Sequence, residues 1–181
     1  MKIKGKQINL RKLRKADASS FSLNAKDKEI SLFTKVPHPY LLQNALDFIK
    51  LTHQEMRKKT AIKLGIEHKG SKTIVGVISL TDLDYSNKKA ELSYWLGKRY
   101  WGKKIMKEAI VLVLNFVFNQ LNFNKVYATV MHPNTKSARL LEACGFQYEG
   151  TMRQNVFKNG EWLDQFLYSI LKDEFQLPDN N

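Results

Sequence analysis

The chain is poor in cysteine and in acid, and it has no long apolar run. Its 181 residues include one cysteine, Cys144, so no internal disulfide can form and the usage fits a reducing cytosol. The most apolar stretch, Ala109 to Phe118, is about half of the ~20 residues that a membrane span needs. Asn115 interrupts it, so it reads as a core helix. Met1 to Lys15 is basic and alternating, with no apolar h-region, which argues against a secretory signal. The histidines, His38, His53, His68 and His132, are scattered without metal-ligand spacing, and no metal site is expected. Repeats and interdomain linkers are absent. These features predict a soluble, cytoplasmic protein with one domain over residues 1–176 and a frayed tail over 177–181.

Acid is scarce relative to base. Lys and Arg number 30 against 17 Asp and Glu, for a net charge of +13. Such an excess suits polyanionic partners, such as a phosphate-bearing cofactor or RNA, or else simply tunes solubility. The segment Lys2 to Lys15 has no acidic residue. It fits contact with ribosomal RNA, and equally an edge strand with solvated lysines. At 43% hydrophobic and 26% charged residues, the composition is that of a globular chain.

Hydrophobic periodicity orders the elements. Residues 7–13 alternate as a first strand. Asp17 is placed to cap a helix through Ala18, Phe21 and Leu23. A second helix follows from about Leu41 to Lys58. Strands over Thr60–Glu67 and Thr73–Leu80 flank the turn His68-Lys69-Gly70-Ser71, with Gly70 able to take positive φ. Asp82–Lys89 is a polar connection into a strand over 90–97. A helix from Gly102 to Leu121 leads to a strand over Lys125–Met131, then to a short helix ending at Gly145. Strands over Phe146–Phe157 and Trp162–Leu171 close around Lys158-Asn159-Gly160. The order β-α-α-β-β-β-α-β-α-β-β gives an α+β fold, a mixed and mostly antiparallel sheet with one right-handed β-α-β crossover.

The junction inside that crossover, Tyr94 to Lys104, carries the chemistry. A strand ends in a basic, glycine-containing turn that opens a helix. Free amides of the first helical turn, the helix dipole and nearby Lys and Arg charge converge on one place, which suits a pyrophosphate. The pattern is neither G-x-G-x-x-G nor G-x-x-x-x-G-K-[ST]. A cofactor is expected at the carboxyl ends of the 90–97 and 125–131 strands, where the chain splays.

These residues resemble a known family. Glu91-Leu92-Ser93-Tyr94-Trp95-Leu96-Gly97 with Arg99-Tyr100-Trp101-Gly102-Lys103 is similar to motif A of the GNAT N-acetyltransferases, whose pyrophosphate loop reads Q/R-x-x-G-x-G/A. Asn134-Thr135-Lys136-Ser137, with Gly145-Phe146 eleven residues after Asn134, resembles the N-x-x-S…GF signature of the RimJ/RimL branch. That branch includes enzymes that acetylate ribosomal-protein N-termini. Glu149-Gly150-Thr151 and the run from Asn159 to Ile170 also look like it. The third position of the loop departs from the pattern, because Lys104 stands where a small residue is usual. Its ammonium could add a phosphate contact, while its bulk either widens the loop slightly or reduces affinity for the cofactor.

The resemblance implies acetyl transfer from acetyl-CoA to a primary amine in a ternary complex, the acceptor being a protein N-terminus or a small amine. It implies that the backbone of Tyr94, Trp95 and Leu96 holds the pantetheine arm, with an amide near Leu96 as oxyanion donor. Arg99, Gly102, Lys103, Lys104 and Ile105 are implied to hold the pyrophosphate. Asn134 would fix the loop and contact the cofactor arm, and Arg139, Lys136, Lys103 and Lys98 are candidates for the adenosine 3′-phosphate. Glu91 is the implied general base, with a structural ion pair to Lys88, Lys89 or Arg99 as the alternative. Ser137 is implied to protonate the thiol, against a purely capping hydroxyl. The tyrosine that many GNAT enzymes place four residues before the GF glycine is Leu141 here. Tyr168 and Asp164 would line the acceptor pocket or serve in packing and surface pairing. Cys144 reads as a small buried thiol. A monomer or homodimer is expected, with no metal. The rival reading is a non-catalytic protein of the same fold that binds RNA or the ribosome through its basic surface.

Overall fold

A computed structural model describes residues 1–177; of the expected tail, 178–181 lie outside the described residues. The sheet has eight strands in the order β1-β2-β3-β4-β5-β6-β8-β7. They are β1 (Lys2–Lys4), β2 (Ile8–Arg11), β3 (Ile62–His68), β4 (Thr73–Asp84), β5 (Lys89–Leu96), β6 (Lys125–Met131), β7 (Gln147–Lys158) and β8 (Glu161–Leu171). The helices are α1 (Ala18–Ala25), α2 (Lys28–Leu32), α3 (Leu42–Lys58), α4 (Ile105–Asn119) and α5 (Thr135–Glu142). The α+β architecture expected from the sequence is the one observed.

β4 is the spine. The stretch from Ile74 to Leu80 is buried, with Val75, Ile78 and Leu80 in the core on one face and Ile74 and Val77 in that on the other, the register shift opposite Ile66 and Glu67 breaking the simple alternation at Val75. The first face packs on α4, whose apolar sequence on several sides buries Ile105, Met106, Ala109, Ile110, Val113, Leu114, Phe116, Val117 and Phe118. The second face carries α1 and α3, joined through Phe21, Tyr40, Ala45, Ile49 and Trp95. Phe21 meets the Trp95 ring edge-on at 5.1 Å, an arrangement worth about 1 kcal/mol beyond area burial. Within the sheet β4 and β5 press close at Gly76, where a Cβ would lie 2.4 Å from the Trp95 carbonyl oxygen.

Several local expectations are corrected. The first strand is only Ile8–Arg11, and a further strand, Lys2–Lys4, pairs outside it. Three residues were too few to show a period. Asp17 does not cap α1. Its carboxylate instead accepts both guanidinium nitrogens of Arg11, at 2.7 and 2.8 Å, and the Arg14 amide at 2.7 Å. In the β3–β4 turn the left-handed residue is Lys72 (φ 53°), not Gly70. The loop runs to Lys72, whose amide closes it on the His68 carbonyl at 2.8 Å. β4 continues to Asp84 through an irregularity after Thr81, where Asp82 has φ 49°. The crossover helix starts at Ile105 and not at Gly102, because Gly102 and Lys104 both take positive φ. The Asn159-Gly160 turn does take two positive φ values, 54° and 87°, as a two-residue hairpin demands.

One feature positions the site. β5 and β6 are parallel and pair at only three positions, Lys89↔Lys125, Ala90↔Val126 and Glu91↔Tyr127. Beyond Glu91 they part.

Candidate active site

The cradle lies at the far end of β5. A single helical turn, Lys98–Tyr100, leads through Trp101 to Gly102 at φ 72° and Lys104 at φ 59°, after which α4 begins. The first amide to close a helical bond is that of Glu108, on the Lys104 carbonyl at 3.0 Å. Among the described residues the amides of residues 102–107 find no protein acceptor. A Cβ built on Gly102 would meet nothing within 4 Å. Six amides without a protein acceptor at the positive end of a helix fit an anion.

The side chains around this loop divide. Ile105 is buried and anchors the helix, while Lys103 and Lys104 are exposed. Arg99 stacks over the Tyr100 ring at 5.0 Å and donates its Nε to Asn24 Oδ1 at 3.1 Å. Asn24, which the sequence reading did not single out, is buried in α1 and also donates to the Ile74 and Ser20 carbonyls. It ties the cradle to the spine of the sheet. No periodic or motif signal marks such a residue, since it looks like any polar position on a short helix.

Lys104 is the residue with strain. Left-handed backbone costs a non-glycine residue about 1–2 kcal/mol, so the small residue usual at this position has a conformational reason. Replacing it is expected to separate strain from charge. Lys104→Gly should leave the melting temperature unchanged or raise it, while CoA affinity falls about two- to fivefold at low salt, the worth of one exposed charge. Calorimetric titration at two ionic strengths checks this. A loss above tenfold would place the ammonium in a desolvated contact.

Between β5 and β6 the gap exposes backbone. The Gly97 amide donates to the Val75 carbonyl at 2.8 Å. Alternation then turns the Trp95 backbone toward β4, opposite Val77, and turns those of Tyr94 and Leu96 toward the gap. This corrects the expectation for Trp95, whose backbone belongs to the ladder and whose ring is buried against Phe21. The Leu96 carbonyl accepts the Trp101 Nε1–H at 2.7 Å, and Lys136 Nζ sits 5.2 Å over the Trp101 ring. A cleft at this mouth is lined by Glu29, Phe33, Trp101, Pro133, Asn134 and Lys136, among others.

Glu91 occupies the last paired position before the parting. It is half-buried and accepts the hydroxyls of Thr81 and Thr129, each at 3.3 Å. Every ion pair among the described residues uses another carboxylate, so the pairing with Lys88, Lys89 or Arg99 is not formed. Nearby, the Tyr127 hydroxyl donates to Asp82. Its pKa is raised by burial, by that bond and by the charges of Asp82, Glu91 and Asp84. Local acidity thus gathers at the apex of a strongly basic protein.

On the other face of β5, the Tyr94 hydroxyl lies 2.8 Å from Ser137 Oγ. Asn134 caps α5, its side chain accepting the Ser137 amide at 3.2 Å. Arg139 is exposed on the same helix. Leu141 is fully buried, and its hydrocarbon side chain has no proton to donate. Tyr168 is also buried and donates to Glu142 at 3.1 Å. Asp164 accepts the Gln154 amide at 2.7 Å in the β7–β8 hairpin. Packing and hairpin structure account for both. Burial pushes the Cys144 thiol up to about 11, which suits an inert side chain. Among the described residues no group of three or more His, Cys, Asp or Glu could hold a metal, and no helix is long and apolar enough to cross a membrane.

Comparison with known proteins gives consistent results. Residues 7–147 match the acetyltransferase (GNAT) domain family. The uncharacterized N-acetyltransferase p20 of Bacillus licheniformis is 28% identical over 93% of this chain and 95% of its own. The putative ribosomal N-acetyltransferase YdaF of Bacillus subtilis is 36% identical over 64% of this chain and 62% of its own. A spermidine N(1)-acetyltransferase of Vibrio cholerae is 25% identical over 93% and 95%. Among solved structures, the microcin C7 self-immunity acetyltransferase MccE in complex with acetyl-CoA and AMP superposes with a TM-score of 0.83 at 25% identity, covering 91% of this chain and 92% of the other.

Proposed function

We propose, for a chain that belongs to the GNAT acetyltransferase family and so transfers acetyl groups from acetyl-CoA to amines, that the acceptor is the N-terminal α-amine of a protein, as in the RimJ/RimL branch. The observation that carries this reading is Glu91, an unpaired carboxylate at the apex of the gap in a chain of net charge +13. An α-amine, with a pKa of about 8, needs less help to lose its proton than an alkylamine at about 10.4. The kinship with a putative ribosomal N-acetyltransferase supports the same choice. The kinship with a spermidine acetyltransferase keeps a small polyamine as the second reading, which the carboxylates of Asp82 and Asp84 beside Tyr127 also suit.

The residues present fit acetyl-CoA. The amides of residues 102–107 would take its pyrophosphate, Tyr94 and Leu96 would bond its pantetheine arm, and the exposed Arg139 and Lys103 would meet the 3′-phosphate. Bound there, acetyl-CoA supplies an acyl carbon activated by a thioester. Glu91, on the face opposite Tyr94, takes the amine proton directly or through water. The gap-facing Leu96 amide stabilises the carbonyl oxygen as it gains charge. Ser137 returns a proton to the departing sulfur.

Thiol release from acetyl-CoA, measured against spermidine and against hexapeptides beginning with Ala or Ser, tests this reading. Peptides should be turned over at least tenfold faster than spermidine. The reverse order would give the polyamine reading. Salt-sensitive RNA binding without CoA binding would overturn both in favour of a non-catalytic protein.

A further inference from the structure

We propose that the Tyr94 hydroxyl is a positioning group that aims the proton of Ser137 at the departing sulfur. The proposal rests on the reading of Ser137 as proton donor given above.

Two hydroxyls 2.8 Å apart share one hydrogen bond, and one of them must donate. If Ser137 donates to Tyr94, its only proton is consumed and the sulfur receives nothing. If Tyr94 donates, Ser137 Oγ accepts and its own proton is free to turn away from the tyrosine, into the gap. A phenol is the more acidic and stronger donor, which selects the second arrangement. Burial pushes the Tyr94 hydroxyl further up, so it stays protonated across the working pH range and never becomes an acceptor-only phenolate.

The rest of the site agrees with that direction. Asn134 uses its side-chain oxygen on the Ser137 amide, which fixes the start of α5 beneath the hydroxyl. The Tyr94 backbone lines the gap, so the hydroxyl pair and the pantetheine contacts are held by one residue. Tyr94 and Glu91 are three positions apart on β5 and project from opposite faces. The acceptor's base and the leaving group's donor are therefore separated by the strand itself, and neither can neutralise the other.

The balance closes. The amine nitrogen bonds to the acyl carbon, and the C–S pair leaves with sulfur, which takes the Ser137 proton. Ser137 recovers its proton from solvent as the thiol leaves, and Tyr94 keeps its own throughout. Solvent has meanwhile received the amine proton by way of Glu91.

Free CoA is the probe, because its bound thiol can be titrated by the ultraviolet absorbance of the thiolate with no acceptor present. A donor aimed at the sulfur lowers that thiol's pKa. Tyr94→Phe and Ser137→Ala should each raise it by about one unit, and the double variant should match Ser137→Ala alone. Tyr94→Phe should still bind CoA within twofold of the wild type. If Ser137→Ala shifts the titration and Tyr94→Phe does not, Tyr94 only packs and the proposal fails while the serine reading stands. If Ser137→Ala leaves the titration unmoved, both fall. A Tyr94→Phe protein that melts early or loses CoA binding would show a structural role and would also overturn the proposal.

Discussion

Glu91→Gln should lower turnover about a hundredfold at neutral pH, the usual worth of a positioned general base, while CoA affinity stays within twofold. The amide keeps the shape of the carboxylate and an oxygen for the Thr81 and Thr129 hydroxyls, so packing at the apex is preserved. The cradle at residues 102–107 lies at the other end of β5 and should not register the change. The deficit should also depend on pH in one direction. As pH rises past the acceptor's own pKa, the amine arrives deprotonated and needs no base, so the variant gains on the wild type. Steady-state rates between pH 6 and 10 give the answer, and equal rates at every pH would remove Glu91 from the mechanism.

The second large effect concerns stability. Asp17→Ala should destabilise the fold by about 3–5 kcal/mol, the cost of stranding one member of a buried ion pair, and lower the melting temperature by roughly 10 °C. Arg11 is 7% exposed and is gripped by both Asp17 oxygens and by Glu67 at 2.6 Å. Burial alone would raise the Asp17 carboxyl, but the hydrogen bonds from Arg11 and the Arg14 amide, with the Arg11 charge, hold it below the usual carboxylate range. Glu67 is lowered in the same way, burial being outweighed by Arg11 and Asn9. Folded pKa values below the unfolded ones mean stability that is complete above about pH 5 and lost as pH falls through the folded values. The wild type should therefore melt progressively earlier below pH 4, and Asp17→Ala should lose part of that dependence. A variant melting within 2 °C of the wild type would show that Glu67 alone suffices for Arg11. A functional echo should accompany the loss, because Asp17 immediately precedes the helix that carries Asn24, and Asn24 holds Arg99.

The elements that were legible in the sequence are those with a long period or a distinctive turn. The 125–131 strand and the Asn159-Gly160 hairpin are at their expected positions. Helix α3 starts one residue late, at Leu42. What stayed hidden has physical reasons. The start of α4 is displaced because two left-handed residues precede it, and nothing in a lysine announces positive φ. Strand direction is invisible to alternation, so Trp95 could be placed on β5 but its backbone could not be assigned to a side. The Tyr94–Ser137 contact joins residues 43 positions apart, and no local pattern encodes it. Only the loop, with its glycine and its place in the crossover, spoke for chemistry.

The parting of β5 from β6 also has a mechanical side. Three residue pairs stitch a five-stranded half, β1 to β5, to a three-stranded half, β6 to β8. Past those stitches the sheet is an unzipped seam, where the Leu96 carbonyl is taken by the Trp101 indole and the gap-facing amides of Tyr94 and Leu96 have no neighbouring strand. A pantetheine arm laid into the seam would serve as that neighbour, a short guest strand bonded to the edge of β5. Amide exchange should then slow in both halves together when CoA binds, as two leaves of a hinge stop flexing once a pin is seated.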